Sequence, residues 1–205
     1  MPDAPKEVLE EIAKEYEQSL IIPPSKNNPQ WMLMPVGLIG AGKTTVLKPL
    51  SERLGLIRLS SDEVRQKLKE RGCSYEGCRD IILQLSKKYL ALGYSLAIDA
   101  NTGSRMGIEY NQKTATAFPN VRQVFIDVNP PEEFITSKLR NYKHTWLFSS
   151  GEQAVQHFYD NKKNFSRPNR PFVYQFDPSR DDLTVQINET VIAINKLLGE
   201  TVVKK

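Results

Sequence analysis

Apolar residues along the chain follow two rhythms. Val8, Leu9, Ile12, Ala13, Tyr16 and Leu20 form one stripe of a helix predicted over residues 6–20, with acidic and basic residues opposite. The stretch IIPPSKNNPQ (21–30) then carries three prolines, which end the helix and give a linker. From Trp31 onward, short apolar runs alternate with longer helical periods. WMLMPVG, LIRLS, YSLAID, VRQVFIDV and FVYQF read as five strands. Between and after them, KTTVLKPLSERLG, DEVRQKLKERG, CRDIILQLSKKYLALG, the segments near 105–117, 132–142 and 152–163, and VQINETVIAINKLLG read as helices.

Strands that are apolar nearly throughout and separated by helices indicate an α/β fold. The expected sheet is mostly parallel and five-stranded, with helices on both faces. The expected organisation is an N-terminal helix and proline-rich linker over 1–30, then one domain over 31–205. The helix either packs on that domain or serves a partner, and the pattern leaves both open. Pro35 is discordant, because a proline removes a ladder donor from a buried strand. Either its N–H position faces no neighbour or the strand ends there.

Composition narrows the class of protein without choosing a function. The 205 residues are 40% apolar and 25% charged, with a net charge of +4. These are the proportions of a globular domain with room for one substantial core. No apolar run approaches the length of a membrane span, and the charged N-terminus is not a secretory signal. The chain has two cysteines (Cys73 and Cys78) and two histidines (His144 and His157), and a zinc site would need nearly all of them. Free thiols in a reducing, cytoplasmic setting are the expected state of the cysteines. The mild basic excess suits an anionic ligand and says little about nucleic acid.

GLIGAGKT (37–44) brings in chemistry. Gly37, Gly42, Lys43 and Thr44 satisfy G-x-x-x-x-G-K-[ST] between a strand and a helix. The glycines let successive N–H groups line an anion site, and the following helix adds its positive end. Gly37, Gly40, Ala41, Gly42, Lys43, Thr44 and Thr45 are therefore the expected triphosphate-binding residues, for ATP. Lys43 would reach the β- and γ-phosphates, and the Thr44 hydroxyl would ligate Mg²⁺.

The second strand runs into RLSSDEVR, where Asp62 and Arg65 share a helical face. A carboxylate there could take a hydroxyl proton, and an arginine could grip an anionic acceptor. Alternatively, Ser61 or Asp62 caps the helix and Arg65 is a solvated charge.

In order, GLIGAGKTT, LSSDEVR, YSLAIDANTGSR and VFIDVNPPEEFITSKLRNYKH resemble the P-loop kinase family that contains the polynucleotide 5′-hydroxyl kinases. Zeta toxins and chloramphenicol phosphotransferases are its broader relatives. The similarity spans roughly residues 31–180 and implies a P-loop NTPase fold with a helical lid. It implies that Asp62 is the general base and that Arg65 holds the acceptor's phosphate. Asp99, at the end of the third strand, falls near the family's D-A-T-N stretch, in a role on Mg²⁺ through water or in orienting Arg65. Arg140 is placed at the lid arginine. His144 stands where members often carry a second arginine, which leaves His144 or Lys143 as its helper. NFSRPNRPFVYQF, with Arg167 and Arg170, matches the loop that commonly builds the adenine site, or else it is a connector. Trp146 and Phe148 anchor the lid or stack bases.

The expected activity is transfer of the ATP γ-phosphate to a hydroxyl, most like a polynucleotide 5′-hydroxyl kinase. A small-molecule kinase and a non-kinase NTP switch are the alternatives. No N-K-x-D base-reading motif supports the switch.

Overall fold

In a computed structural model that describes residues 1–141, 147–165, 167 and 169–202, the five apolar runs form five strands. They are β1 (Trp31–Val36), β2 (Ile57–Ser60), β3 (Leu96–Asp99), β4 (Arg122–Val128) and β5 (Tyr174–Phe176). The strands lie in the order β2-β3-β1-β4-β5, and every pairing is parallel. Eight helices surround the sheet among the described residues: α1 (Lys6–Gln18), α2 (Lys43–Leu54), α3 (Ser61–Glu70), α4 (Cys78–Ala91), α5 (Arg105–Ala117), α6 (Glu132–Arg140), α7 (Gly151–Lys163) and α8 (Leu183–Val202).

Alternation along the strands divides the core in two. Met32, Met34, Val36, Leu59, Ile98 and Phe125 pack with residues of α1, α3 and α4 on one face. Trp31, Leu33, Ala97, Val124, Ile126 and Val128 pack with α2, α6, α7 and α8 on the other. All six residues of β1 are buried, which explains their unbroken apolar character.

Pro35 stays within β1, paired to Ile126 of β4. The ladder towards β3 runs only through Met32–Leu96 and Leu33–Ala97. On that side the Pro35 carbonyl accepts the backbone N–H of Thr102 at 3.3 Å and also its hydroxyl. In an extended residue N–H and C=O point the same way, so the missing donor faces a loop rather than a strand. The first of the two possibilities open in the sequence is the one realised.

α1 packs on the rest of the chain. Ile12, Ala13 and Tyr16 are buried in the same cluster as β2, α3 and α4. Leu9 lies so close to Gly77 that a Cβ there would stand 2.2 Å from Leu9 Cδ2. Arg71 pairs with Glu11 at 3.1 Å and with Glu15. Tyr89 donates to Glu17 at 2.9 Å. Burial of an Ile12- or Tyr16-sized side chain contributes about 1.5–3 kcal/mol, against at most about 1 kcal/mol for an exposed ion pair. The apolar stripe, not the charged rim, holds the helix. No helix among the described residues is long and apolar enough to cross a membrane.

Candidate active site

The carboxyl ends of β1, β2, β3 and β4 meet at one edge of the sheet, and the expected chemistry gathers there. The glycine loop leaves β1 and turns into α2 through Gly42, whose φ of +97° lies in the left-handed region open to glycine. Gly42 offers no side-chain cap, so the N–H groups of the first turn of α2 remain for a ligand. The Pro178 ring stands 3.3 Å from where a Cβ on Gly42 would sit, so the loop after β5 closes this end. Ala41 is buried, and its N–H donates to the Leu38 carbonyl at 3.2 Å.

Lys43 Nζ donates back to the loop, to the carbonyls of Gly37 at 3.1 Å and Leu38 at 2.9 Å. Burial pushes its ammonium down to about 8, opposed by Asp62 and Asp99. Arg65 and Lys138 push it further down. These five charges therefore share one field.

Thr44 Oγ1 donates to Asp99 Oδ1 at 3.0 Å, which ties α2 to β3. The other oxygen of Asp99 accepts from Arg58 at 2.7 Å. Arg58 also grips Glu63 in the first turn of α3. Burial raises the Asp99 carboxyl, while Arg58, Thr44 and Lys43 pull it back. Burial also works against the Arg58 charge, but Glu63 and Asp99 outweigh it and raise that group. Asp99 therefore faces Thr44 and Arg58 directly, whereas Arg65 is engaged by Asp62.

On the acceptor side, α3 is capped by Ser60, whose Oγ accepts the Glu63 N–H at 3.5 Å. Neither Ser61 nor Asp62 caps it. The Asp62 carboxylate is thus left to Arg65, which donates to it at 3.0 Å on the exposed side of the helix. Beneath this turn the Tyr16 hydroxyl accepts the Ser60 N–H at 2.6 Å, deep in the core. The Cys78 thiol donates to the Ser61 carbonyl at 3.3 Å, and burial pushes it up to about 11. Both cysteines are free and buried.

α6 lies over the phosphate loop. Ile135 and Leu139 come within 3.0 Å of where a Cβ on Gly40 would be. Lys138 and Arg140 are the immediate neighbours of Leu139, about 100° to either side of it, so they flank opposite sides of the contact. Lys138 is the flank that acts on Lys43. Arg140 ends the helix with an exposed side chain, and its carbonyl lies 2.2 Å from where a Cβ on Gly151 would sit. Lys143, His144 and Trp146 lie outside the described residues. Phe148 is buried, 5.3 Å between ring centroids from His157.

Arg58, Lys138 and Tyr16 are the residues missed in sequence. Tyr16 was visible only as one more apolar position of its stripe. Arg58 sits one residue before Leu59 and two before Ser60, and no local spacing joins it to Asp99.

Solved structures share this architecture at low identity. The APS kinase CysC of Mycobacterium tuberculosis, in complex with AMPPNP and APS, aligns with a TM-score of 0.59 and 15% identity, covering 81% of this chain and 98% of that one. A gluconokinase from Sinorhizobium meliloti gives 0.59 and 15%, over 86% and 98%. A chain of the PezAT chromosomal toxin-antitoxin system of Streptococcus pneumoniae gives 0.58 and 17%, over 96% and 98%. No curated protein matches the sequence. The profile of the AAA domain family matches residues 32–156, more than half of the chain, from β1 through the first turn of α7. The chain belongs to the AAA domain family, and its five-stranded parallel sheet has the fold of the P-loop kinases.

Proposed function

We propose that this protein transfers the γ-phosphate of ATP to a hydroxyl group of a small acceptor. The observation that carries the reading is the Asp62–Arg65 pair at the start of α3, at the same end of the sheet as the glycine loop and the Thr44–Asp99 contact. A module that only binds and releases a nucleotide has no use for a carboxylate–guanidinium pair facing its phosphate lysine.

In this scheme, triphosphate oxygens replace the Gly37 and Leu38 carbonyls at Lys43 and accept from the open N–H groups of α2. Asp62 takes the acceptor's hydroxyl proton as that oxygen bonds to the γ-phosphorus. The bond from this phosphorus to the β–γ bridging oxygen breaks, and ADP leaves with the electron pair. Lys43 and Lys138 offset the charge that develops there. Arg65 holds Asp62 and presents its remaining N–H groups to the acceptor. The exposed hydroxyl of Thr44 and the carboxylate of Asp99 are hard oxygen donors suited to Mg²⁺. Thr44 and Asp99 would hold the ion, which would supply positive charge to offset that of the phosphates.

A polynucleotide acceptor, implied by the resemblance, has less support than a small one. The groove between the starts of α4 and α5, about 210 Å³, is lined by Glu76, Asp80 and Glu109 against Arg79 and Lys113. A nucleic-acid track calls for a clear positive excess.

The test offers γ-labelled ATP with Mg²⁺ to 5′-hydroxyl DNA and RNA, nucleosides, nucleoside monophosphates, sugars, sugar acids and aminosugars in parallel. Label is expected on a small acceptor and lost in Lys43→Ala. Label confined to the oligonucleotides overturns the small acceptor. Hydrolysis with no acceptor labelled overturns the kinase reading.

A further inference from the structure

A buried carboxylate that this scheme does not use lies at the carboxyl end of β4. Asp127 is 3% exposed and stands opposite Val36, the last residue before the phosphate loop. Arg167 Nε donates to both of its oxygens, at 3.2 and 3.1 Å. A carboxylate removed from water needs such an answering cation, so the pair fixes where Arg167 points. The arginine side chain nevertheless keeps 39% of its surface exposed. Nε is the atom turned to Asp127, and the exposed remainder of the planar fork lies at the rim.

Which face of the sheet Arg167 serves follows from strand alternation. Phe125 packs on the α1, α3 and α4 side, while Val124, Ile126 and Val128 pack on the α2 and α8 side. Asp127, two residues after Phe125, therefore points to the α3 side. The segment after α7 stays there too, since Phe165 and Phe172 pack on that cluster. Arg170 stands 5.0 Å over the Phe125 ring, and Arg167 5.5 Å over Phe165. Phe165 in turn reaches the loop after β3, 3.3 Å from where a Cβ on Gly103 would sit and beside Val36. This segment is thus on the acceptor side, whereas Pro178 of the loop after β5 meets Gly42.

We infer that Arg167, held by Asp127, is an acceptor-binding residue facing Arg65 across the end of β1, and that the acceptor carries a carboxylate or phosphate besides its reacting hydroxyl. The inference rests on the kinase reading above. Two guanidinium forks bracketing one site suit a small compound with an anionic group and disfavour a neutral sugar or a nucleoside.

The experiment uses matched acceptors that differ by the anionic group: glycerol 3-phosphate and glycerate against glycerol, gluconate against glucose, and nucleoside monophosphates against nucleosides. Transfer from γ-labelled ATP is measured for the wild type, Arg167→Gln and Arg167→Lys, with nucleotide affinity measured separately by a fluorescent ATP analogue. Label is expected on an anionic member only. Arg167→Gln should raise its KM at least about tenfold with kcat reduced less, Arg167→Lys should recover part of the loss, and nucleotide affinity should stay within about twofold. Equal labelling of a neutral partner, an unchanged KM in Arg167→Gln, or a loss confined to nucleotide affinity each overturns the inference and leaves the kinase reading standing. Absence of label from every acceptor, with ATP still bound, overturns both.

Discussion

The ammonium of Lys43 donates to the carbonyl of Leu38, 2.9 Å away and five residues earlier in the same loop. The group meant for a triphosphate is therefore satisfied by its own backbone, and nucleotide binding must exchange one set of acceptors for another. Because burial holds the free ammonium at about 8 rather than 10.5, the folded chain binds fewer protons than the unfolded chain between those values. Its stability should accordingly rise with pH across that window, and the cost of the buried charge is fully present below about 8. A bound triphosphate favours the charged form. At about pH 9, ATP binding should take up close to one proton, and at pH 7 almost none. Calorimetry in buffers of different ionisation enthalpy reads this directly, and Lys43→Met should remove the uptake.

Asp62→Asn keeps the size and helical position of the side chain while removing its ability to accept a proton. We expect kcat to fall about 10²–10⁴-fold with nucleotide affinity intact. Since Ser60 is the cap, the melting temperature should hardly move. Full activity with a lowered melting temperature would make Asp62 a structural residue.

Tyr16→Phe deletes one oxygen and leaves the Ser60 N–H buried without its acceptor. Such a loss costs about 1–3 kcal/mol. In a chain of this size that lowers Tm by roughly 2–4 °C per kcal/mol. The same change loosens the turn that sets Asp62, so kcat should fall along with Tm. A melt shifted without any change in kcat would separate α1 from the site.

Lys138→Ala should lower kcat about tenfold, and more than Arg140→Ala does, because Lys138 is among the charges that act on Lys43. Steady-state rates of the two variants at saturating ATP decide it. A larger loss for Arg140 would restore the order expected from sequence.

How much of this was readable in advance depended on distance along the chain. The phosphate loop was legible because its whole requirement is local: glycines, a lysine and a hydroxyl between a strand and a helix. The five strands and the placement of α5 were legible for the same reason, since periodicity is a short-range signal. Asp62 and Arg65 could be paired by helical spacing alone. The partners of Asp99 could not, because Arg58 is 41 residues away and Thr44 is 55, joined only once β2, β3 and α2 are assembled. The segment around Arg167 reads in sequence as an adenine loop, by resemblance, or as a connector. The face it packs on follows from which way Asp127 points, which is set by the packing of Phe125 rather than by any motif. Arg140 and Lys138 are both basic and near neighbours, and spacing alone does not say that Lys138 is among the charges acting on Lys43.

The close approach of Leu9 to Gly77 has a practical consequence. The stretch that marks family membership begins at residue 32, yet the packed core includes a helix ending thirteen residues before β1. Cutting the chain at the family boundary would strip the lid from a hydrophobic surface on α3 and α4 and leave a hydrogen bond unmade beneath the acceptor turn. The matched family stretch and the buried core have different edges in this molecule, and excising the first cuts through the second.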